Sequence, residues 1–102
     1  MAVQLKVPTL FSETIASANT EHVITLPAGT KQFSLAARSS AAFRLAFVTG
    51  KVATPVEPYR NVAADSEYVS NPNAPMQETA DALKVYVASS TAPLTLDGEA
   101  YT

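Results

Sequence analysis

The chain has 102 residues, enough for one domain with its own core, and 47% of them are hydrophobic. Only 16% are charged, against about 25% in ordinary soluble proteins. A net charge of −2 with seven scattered Lys and Arg excludes electrostatic capture of nucleic acid, which needs clustered cations.

Cysteine is absent, so disulfides and thiolate metal sites are excluded. No apolar run approaches the ~20 residues that span a bilayer as a helix. Met1–Lys6 lacks a basic region followed by an apolar core, so no signal peptide is expected and synthesis is expected in the cytosol. Ala, Ser and Thr stand where Lys and Glu would ordinarily sit. Such a surface is expected to be partly covered by neighbours in an assembly, because interface cores are depleted in charge.

Val3, Leu5 and Val7 alternate with Gln4 and Lys6 and stop at Pro8. The pattern predicts an edge strand or an extended arm over residues 1–8, ahead of one domain over 9–102. Thr9–Thr20 admits two readings, a loose helical stripe of Leu10, Phe11, Ile15 and Ala18 or a strand around Ser12–Ile15. Glu21–Leu26 alternates as a strand. Pro27-Ala28-Gly29-Thr30 is the clearest turn in the chain, with Pro presetting φ and Gly free to take φ > 0.

Lys31–Arg38 and Ala42–Val48 are the next strands, linked by Ser39-Ser40-Ala41. Phe33, Leu35 and Ala37 share one face of the first, and Phe43, Leu45 and Phe47 one face of the second. Together Val23–Val48 predicts an antiparallel meander at the centre of the core. Pro55 and Pro58 bar a central strand from Val52–Pro58. Short strands are expected in Tyr59–Ala64 and Glu67–Val69, then a loop over Ser70–Pro75 and one helical turn in Met76–Ala82. Ala82–Ala88 is a strong strand with Leu83, Val85 and Val87 on one face. Leu94–Leu96 is the last strand, and Asp97-Gly98 predicts a hairpin-type turn leaving Glu99–Thr102 as a short return or tail. Seven or eight short strands with turn signals at roughly 8–12-residue spacing predict an all-β chain, a single small antiparallel β-sandwich or barrel.

No catalytic constellation is present. His22, the single histidine, has Glu21 beside it, but on a strand the two point to opposite faces. A satisfied or exposed strand histidine is the favoured reading over a metal ligand. Asp65, Glu67, Glu78 and Asp81 bracket the proline loop without the regular spacing of a calcium loop. Ser39-Ser40 and Ser89-Ser90 lack the flanking glycines of a nucleophile elbow and read as turn serines. No cofactor, metal or catalytic residue is therefore expected, and the chain is expected not to be an enzyme.

The residues left to carry function are those suited to contact. Tyr59, Arg60, Tyr68 and Tyr86 belong to the types enriched at interface hot spots, although tyrosine is also ordinary strand filler. Arg38 and Arg44 lie on strands whose other face is apolar, so both are expected to point outward. Prolines stiffen Pro55–Pro58 and Asn71–Pro75, including Pro72 and Pro75. Val3 and Leu5 of the arm complete the expected contact residues.

The passages Val23–Leu35, Tyr59–Tyr68 and Leu83–Ser89 resemble small structural proteins of tailed bacteriophages, in which a strand, a Pro/Gly turn, an alternating strand, a Tyr-containing passage and a final strand follow in this order. The resemblance covers roughly the last four-fifths of the chain and rests on general β vocabulary. It implies a virion component, first a capsid decoration or cement protein stabilising the phage head, and as alternatives a small tail, neck or fibre-base component. The implied partners are the major capsid protein or other virion proteins, with self-association on the particle and neither nucleic acid nor membrane. A carbohydrate-binding β-sandwich module is the rival reading, and the lack of tryptophan weighs against it.

Overall fold

The computed structural model describes residues 8–27, 30–70 and 84–101. Eight strands run through them: β1 Thr9–Ile15, β2 His22–Thr25, β3 Gln32–Ala37, β4 Phe43–Ala46, β5 Arg60–Val62, β6 Glu67–Val69, β7 Lys84–Ala88 and β8 Leu94–Tyr101. The ambiguous segment after Pro8 is thus a strand. Ile15 is buried and Phe11 and Glu13 are half-buried on its inner face, while Leu10, Ser12 and Thr14 face out. The residues expected to hold the arm, the Asn71–Pro75 loop and the helical turn of Met76–Ala82 lie outside the described residues, apart from Pro8.

Two four-stranded sheets face each other, ordered β1-β8-β3-β6 and β2-β7-β4-β5. Every pairing is antiparallel. The pairs are nested: β1 with β8, β2 with β7, β3 with β6 and β4 with β5. The β3–β8 and β4–β7 pairings then join these strand pairs into sheets. This is the connectivity of an eight-stranded jelly roll, a subclass of the expected β-sandwich.

The expected meander does not form. β2 and β4 lie in one sheet and β3 in the other, so no two of these consecutive strands pair. β2 and β3, like β3 and β4, lie in opposite layers, and sheet faces about 10 Å apart need links longer than a two-residue hairpin.

Alternation supplies the core. Phe33 and Leu35 from β3, Phe43 and Leu45 from β4, Val85 and Val87 from β7, and Leu94 and Leu96 from β8 are essentially inaccessible and meet in one cluster with Ile15, Ile24 and Leu26. Each such side chain contributes roughly 1.5–3 kcal/mol by leaving water. The Asp97-Gly98 turn is also corrected, since both residues lie within β8, which runs unbroken to Tyr101. Gly98 sits opposite Phe11 on one side and Leu35 on the other. A side chain there would run into the Phe11 ring, and its Cβ would stand 2.8 Å from the Ser34 carbonyl oxygen.

The outer faces of the two sheets differ. Residues 47–59 fold back over the β2-β7-β4-β5 sheet, burying Val52 against Ala46 and Ala88, with Tyr86 packed alongside. The outer face of the other sheet carries Leu10, Ser12, Ser34, Ala36, Asp97 and Glu99 around a shallow depression. Buried polar groups act as ties. Ser89 Oγ donates to the Ala42 carbonyl at 2.7 Å and accepts from Thr91 N–H at 3.1 Å. Ser70 Oγ accepts from Phe33 N–H at 2.8 Å. Ser89, one of the paired turn serines, is therefore a structural residue.

Candidate protein-contact surface

The sandwich closes differently along its two long sides. On the β1/β2 side, Glu13 and His22 both face inward at the rim, and His22 Nε2 lies 2.9 Å from Glu13 Oε2 across the gap between sheets. His22 is thus a satisfied strand histidine. Glu21, facing the other way, accepts from Thr49 Oγ1 at 2.6 Å and from Gly50 N–H at 2.8 Å.

Among the described residues, the β5/β6 side stays open. Phe47 continues the inward parity of Phe43 and Leu45, but it lies past the end of β4, where the opposite sheet no longer covers it. Its ring meets Phe33 edge-on at 6.1 Å and remains 45% exposed. Tyr68 turns inward from β6, opposite Leu35, with its ring 5.6 Å from Phe33. Arg60 pairs with Leu45 in register but occupies an edge strand, so it reaches solvent. Between them runs a groove of about 360 Å³ lined by Leu45, Ala46, Phe47, Val48, Pro58, Tyr59, Arg60 and Tyr68. Val48 is 56% exposed and Tyr59 36%. Among the described residues Arg60 is the one charged residue in that lining, which is otherwise an apolar and aromatic strip.

Three of the expected contact residues, Tyr59, Arg60 and Tyr68, therefore converge. Three others are engaged within the fold. Arg38 holds Asp97 through two hydrogen bonds of 2.7 and 3.1 Å on the open outer face. Arg44 points outward as expected, but it is spent on the covering loop. Its Nε donates to the Val52 carbonyl at 2.7 Å and its Nη2 to Asn19 Oδ1 at 2.9 Å. Tyr86 is half-buried beneath that same loop. Val3, Leu5, Pro72 and Pro75 lie outside the described residues. Phe47 was expected as an inward core residue of the strand Ala42–Val48, but β4 ends at Ala46 and leaves it at the groove. Pro58 belongs to the stiffened loop Pro55–Pro58, and Val48 was not singled out as a contact residue.

The charged groups of the outer face partner one another. Hydrogen bonding from Arg38, reinforced by its charge and opposed by slight burial, holds the Asp97 carboxyl below its ordinary range. The Arg38 guanidinium is correspondingly raised, chiefly by its hydrogen bond to Asp97. Tyr101 Oη donates to Glu99 at 3.2 Å, and that bond, with the nearby negative charge, raises the phenol. Asp65, at φ 63°, accepts from Ser40 Oγ at 2.8 Å. Glu67 lies on the outer face of β6, while Glu78 and Asp81 fall outside the described residues. Among the described residues no group of three or more His, Asp or Glu is placed to hold a metal ion. No protein-family model, curated protein or solved structure matches the chain.

Proposed function

We propose that the chain is a non-enzymatic structural component of a tailed-phage particle, a decoration or cement protein that binds the assembled head. The observation that carries this reading is the open groove, where Phe47, Val48 and Tyr59 expose apolar surface beside Arg60. Contiguous exposed apolar residues with an aromatic and an Arg are the composition of a contact site. Jelly rolls recur in viral capsid domains, which supports the reading by analogy alone. The charge-poor surface agrees with coverage by neighbours.

The mechanism is linkage. A protein that buries its groove only against the assembled shell adds binding free energy to that state and so stabilises it. Many copies on one shell make weak individual contacts sufficient. The test is copy number in purified particles, by quantitative mass spectrometry against the most abundant shell protein. A ratio near one, or a simple fraction of it, supports decoration of the shell. A few copies per particle move the protein to a tail, neck or fibre base, and none removes the virion reading.

Jelly rolls also serve as lectin domains, and the grouping of Tyr59 and Tyr68 with Arg60 in one groove favours carbohydrate as the second reading. Glycan-array binding abolished by Tyr59→Ala would establish it.

A further inference from the structure

We infer that β1 is an interaction edge and that its partner is β1 of a second copy of this chain, antiparallel about a two-fold axis at Ser12. Among the described residues, β1 ends the β1-β8-β3-β6 sheet and pairs on one side only. It is the longest outer strand, with 7 residues against 3 in β6, 4 in β2 and 3 in β5. Among the described residues, no backbone bond outside the sheet ladders engages residues 9–15. An unpaired strand edge offers its N–H and C=O groups to another extended chain.

Edges are ordinarily blunted by Pro, Lys, a bulge or an inward-pointing charge. Within Thr9–Ile15 there is neither Pro nor Lys. Its register with β8 runs unbroken from Thr9↔Ala100 to Ile15↔Leu94, so no bulge bends it away. The one inward charge is Glu13, and His22 already holds it at 2.9 Å, so pairing does not strand it.

The edge is also complementary to itself. With Ser12 against Ser12, Leu10 faces Thr14, Phe11 faces Glu13 and Thr9 faces Ile15. Every pair has the same parity, so inner and outer faces continue across the joint. The outer face brings together Leu10, Ser12 and Thr14 with no like charges opposed. Leu10, 71% exposed in the single chain, gains a neighbour. The β1-β8-β3-β6 sheets of the two copies then become one continuous sheet. The joint is smaller than a standard interface of about 1,600 Å², so association is weak and concentration-dependent. The inference is independent of the virion reading, since it needs only two copies of the chain.

The test is sedimentation equilibrium on the full chain from about 1 μM to about 1 mM, the span of weak affinities. The expected result is a monomer–dimer equilibrium. Ser12→Glu sets two carboxylates against each other at the axis and weakens it at least tenfold, by roughly the cost of opposed like charges. Ser12 is exposed, so both this chain and Ser12→Lys are expected to fold, as circular dichroism checks; Ser12→Lys alone serves if Ser12→Glu does not fold. Mixing the two variants restores a dimer through opposite charges. A wild-type chain that stays monomeric throughout overturns the inference. So does a dimer that both variants leave intact, because its joint then lies elsewhere.

Discussion

Gly98 shows how one residue sets the geometry of the sheet around it. Glycine inside a strand ordinarily weakens it, since there is no side chain to pack. Here the space is filled from across the pair, because the Phe11 ring lies where a Gly98 side chain would be. Gly98→Ala is expected to destabilise by about 1–3 kcal/mol, the usual range for overpacking. The Ser34 carbonyl, 2.8 Å from the added carbon, belongs to the β3 backbone and has little room to yield. Urea unfolding checks this, and Gly98→Ala with Phe11→Ala should recover only the ring's share of the clash. Among the described residues, the Asp97 carboxyl, one residue earlier, is one whose folded-state titration is shifted by a partner. Its folded-state pKa is lowered, mainly by the Arg38 hydrogen bond. Its contribution is therefore present above the unfolded carboxylate value of about 3.9 and is lost as pH falls through the folded value. Both side chains are largely exposed, so the effect is small and screened by salt. Asp97→Asn should lower the urea midpoint slightly at about pH 6 and low ionic strength, and the difference should shrink as falling pH protonates the folded-state carboxyl.

At the scale of elements, the strands were legible in the sequence and their partners were not. The alternation in Phe33-Ser34-Leu35 and in Val85-Tyr86-Val87 tells which side chains turn inward, because the period of two fixes the face. It carries no label for which of two sheets a strand joins. Thus β2, β3 and β4 read as a meander, yet they alternate between layers. Asp97-Gly98 misled for a related reason, since Gly serves there to admit Phe11 rather than to turn the chain. Val52–Pro58 was correctly expected to hold no central strand, given Pro55 and Pro58, whereas the strand expected to run to Val48 ends at Ala46; the tie of residues 47–59 to the sheet depends on residues distant in sequence. Arg44 reaches the Val52 carbonyl and Glu21 reaches Thr49 and Gly50. Val52 is fully buried beneath it. Val52→Ala should cost about 1–2.5 kcal/mol through lost burial and a residual cavity. Arg44→Ala should act more locally by leaving the Val52 carbonyl unpaired. Hydrogen exchange should then accelerate at residues 47–59 before it changes in β3, β7 or β8. Uniform acceleration across all strands would show that the loop unfolds only with the core.

For the molecule as a whole, closed and open sides divide stability from contact. The nested pairing buries Phe33 between Phe47 and Tyr68 at the β5/β6 side, where the two sheets end in strands of three residues each. Such short edges leave Phe47, Val48 and Tyr59 partly uncovered. Tyr59, Arg60 and Tyr68 could be picked from sequence by residue type. Their convergence could not, because β5 and β6 belong to different sheets and meet only when the roll closes. The groove has a floor and a rim with different duties. Phe47 and Tyr68 touch Phe33, so replacing either with Ala should cost stability as core truncations do, about 2 kcal/mol or more. Val48, Tyr59 and Arg60 form the rim, and replacing each should shift stability by no more than about 0.5 kcal/mol. The combined variant Val48→Ser, Tyr59→Ala, Arg60→Ala should therefore unfold in urea within about 1.5 kcal/mol of the parent. If the groove is the docking surface, that same folded variant should bind particles far more weakly, because truncating a Tyr and an Arg at the centre of a contact removes most of its binding free energy. Occupancy on particles grown with each chain, measured against the shell protein, reads the difference. Full occupancy by a normally folded variant would move the docking surface away from the β5/β6 side.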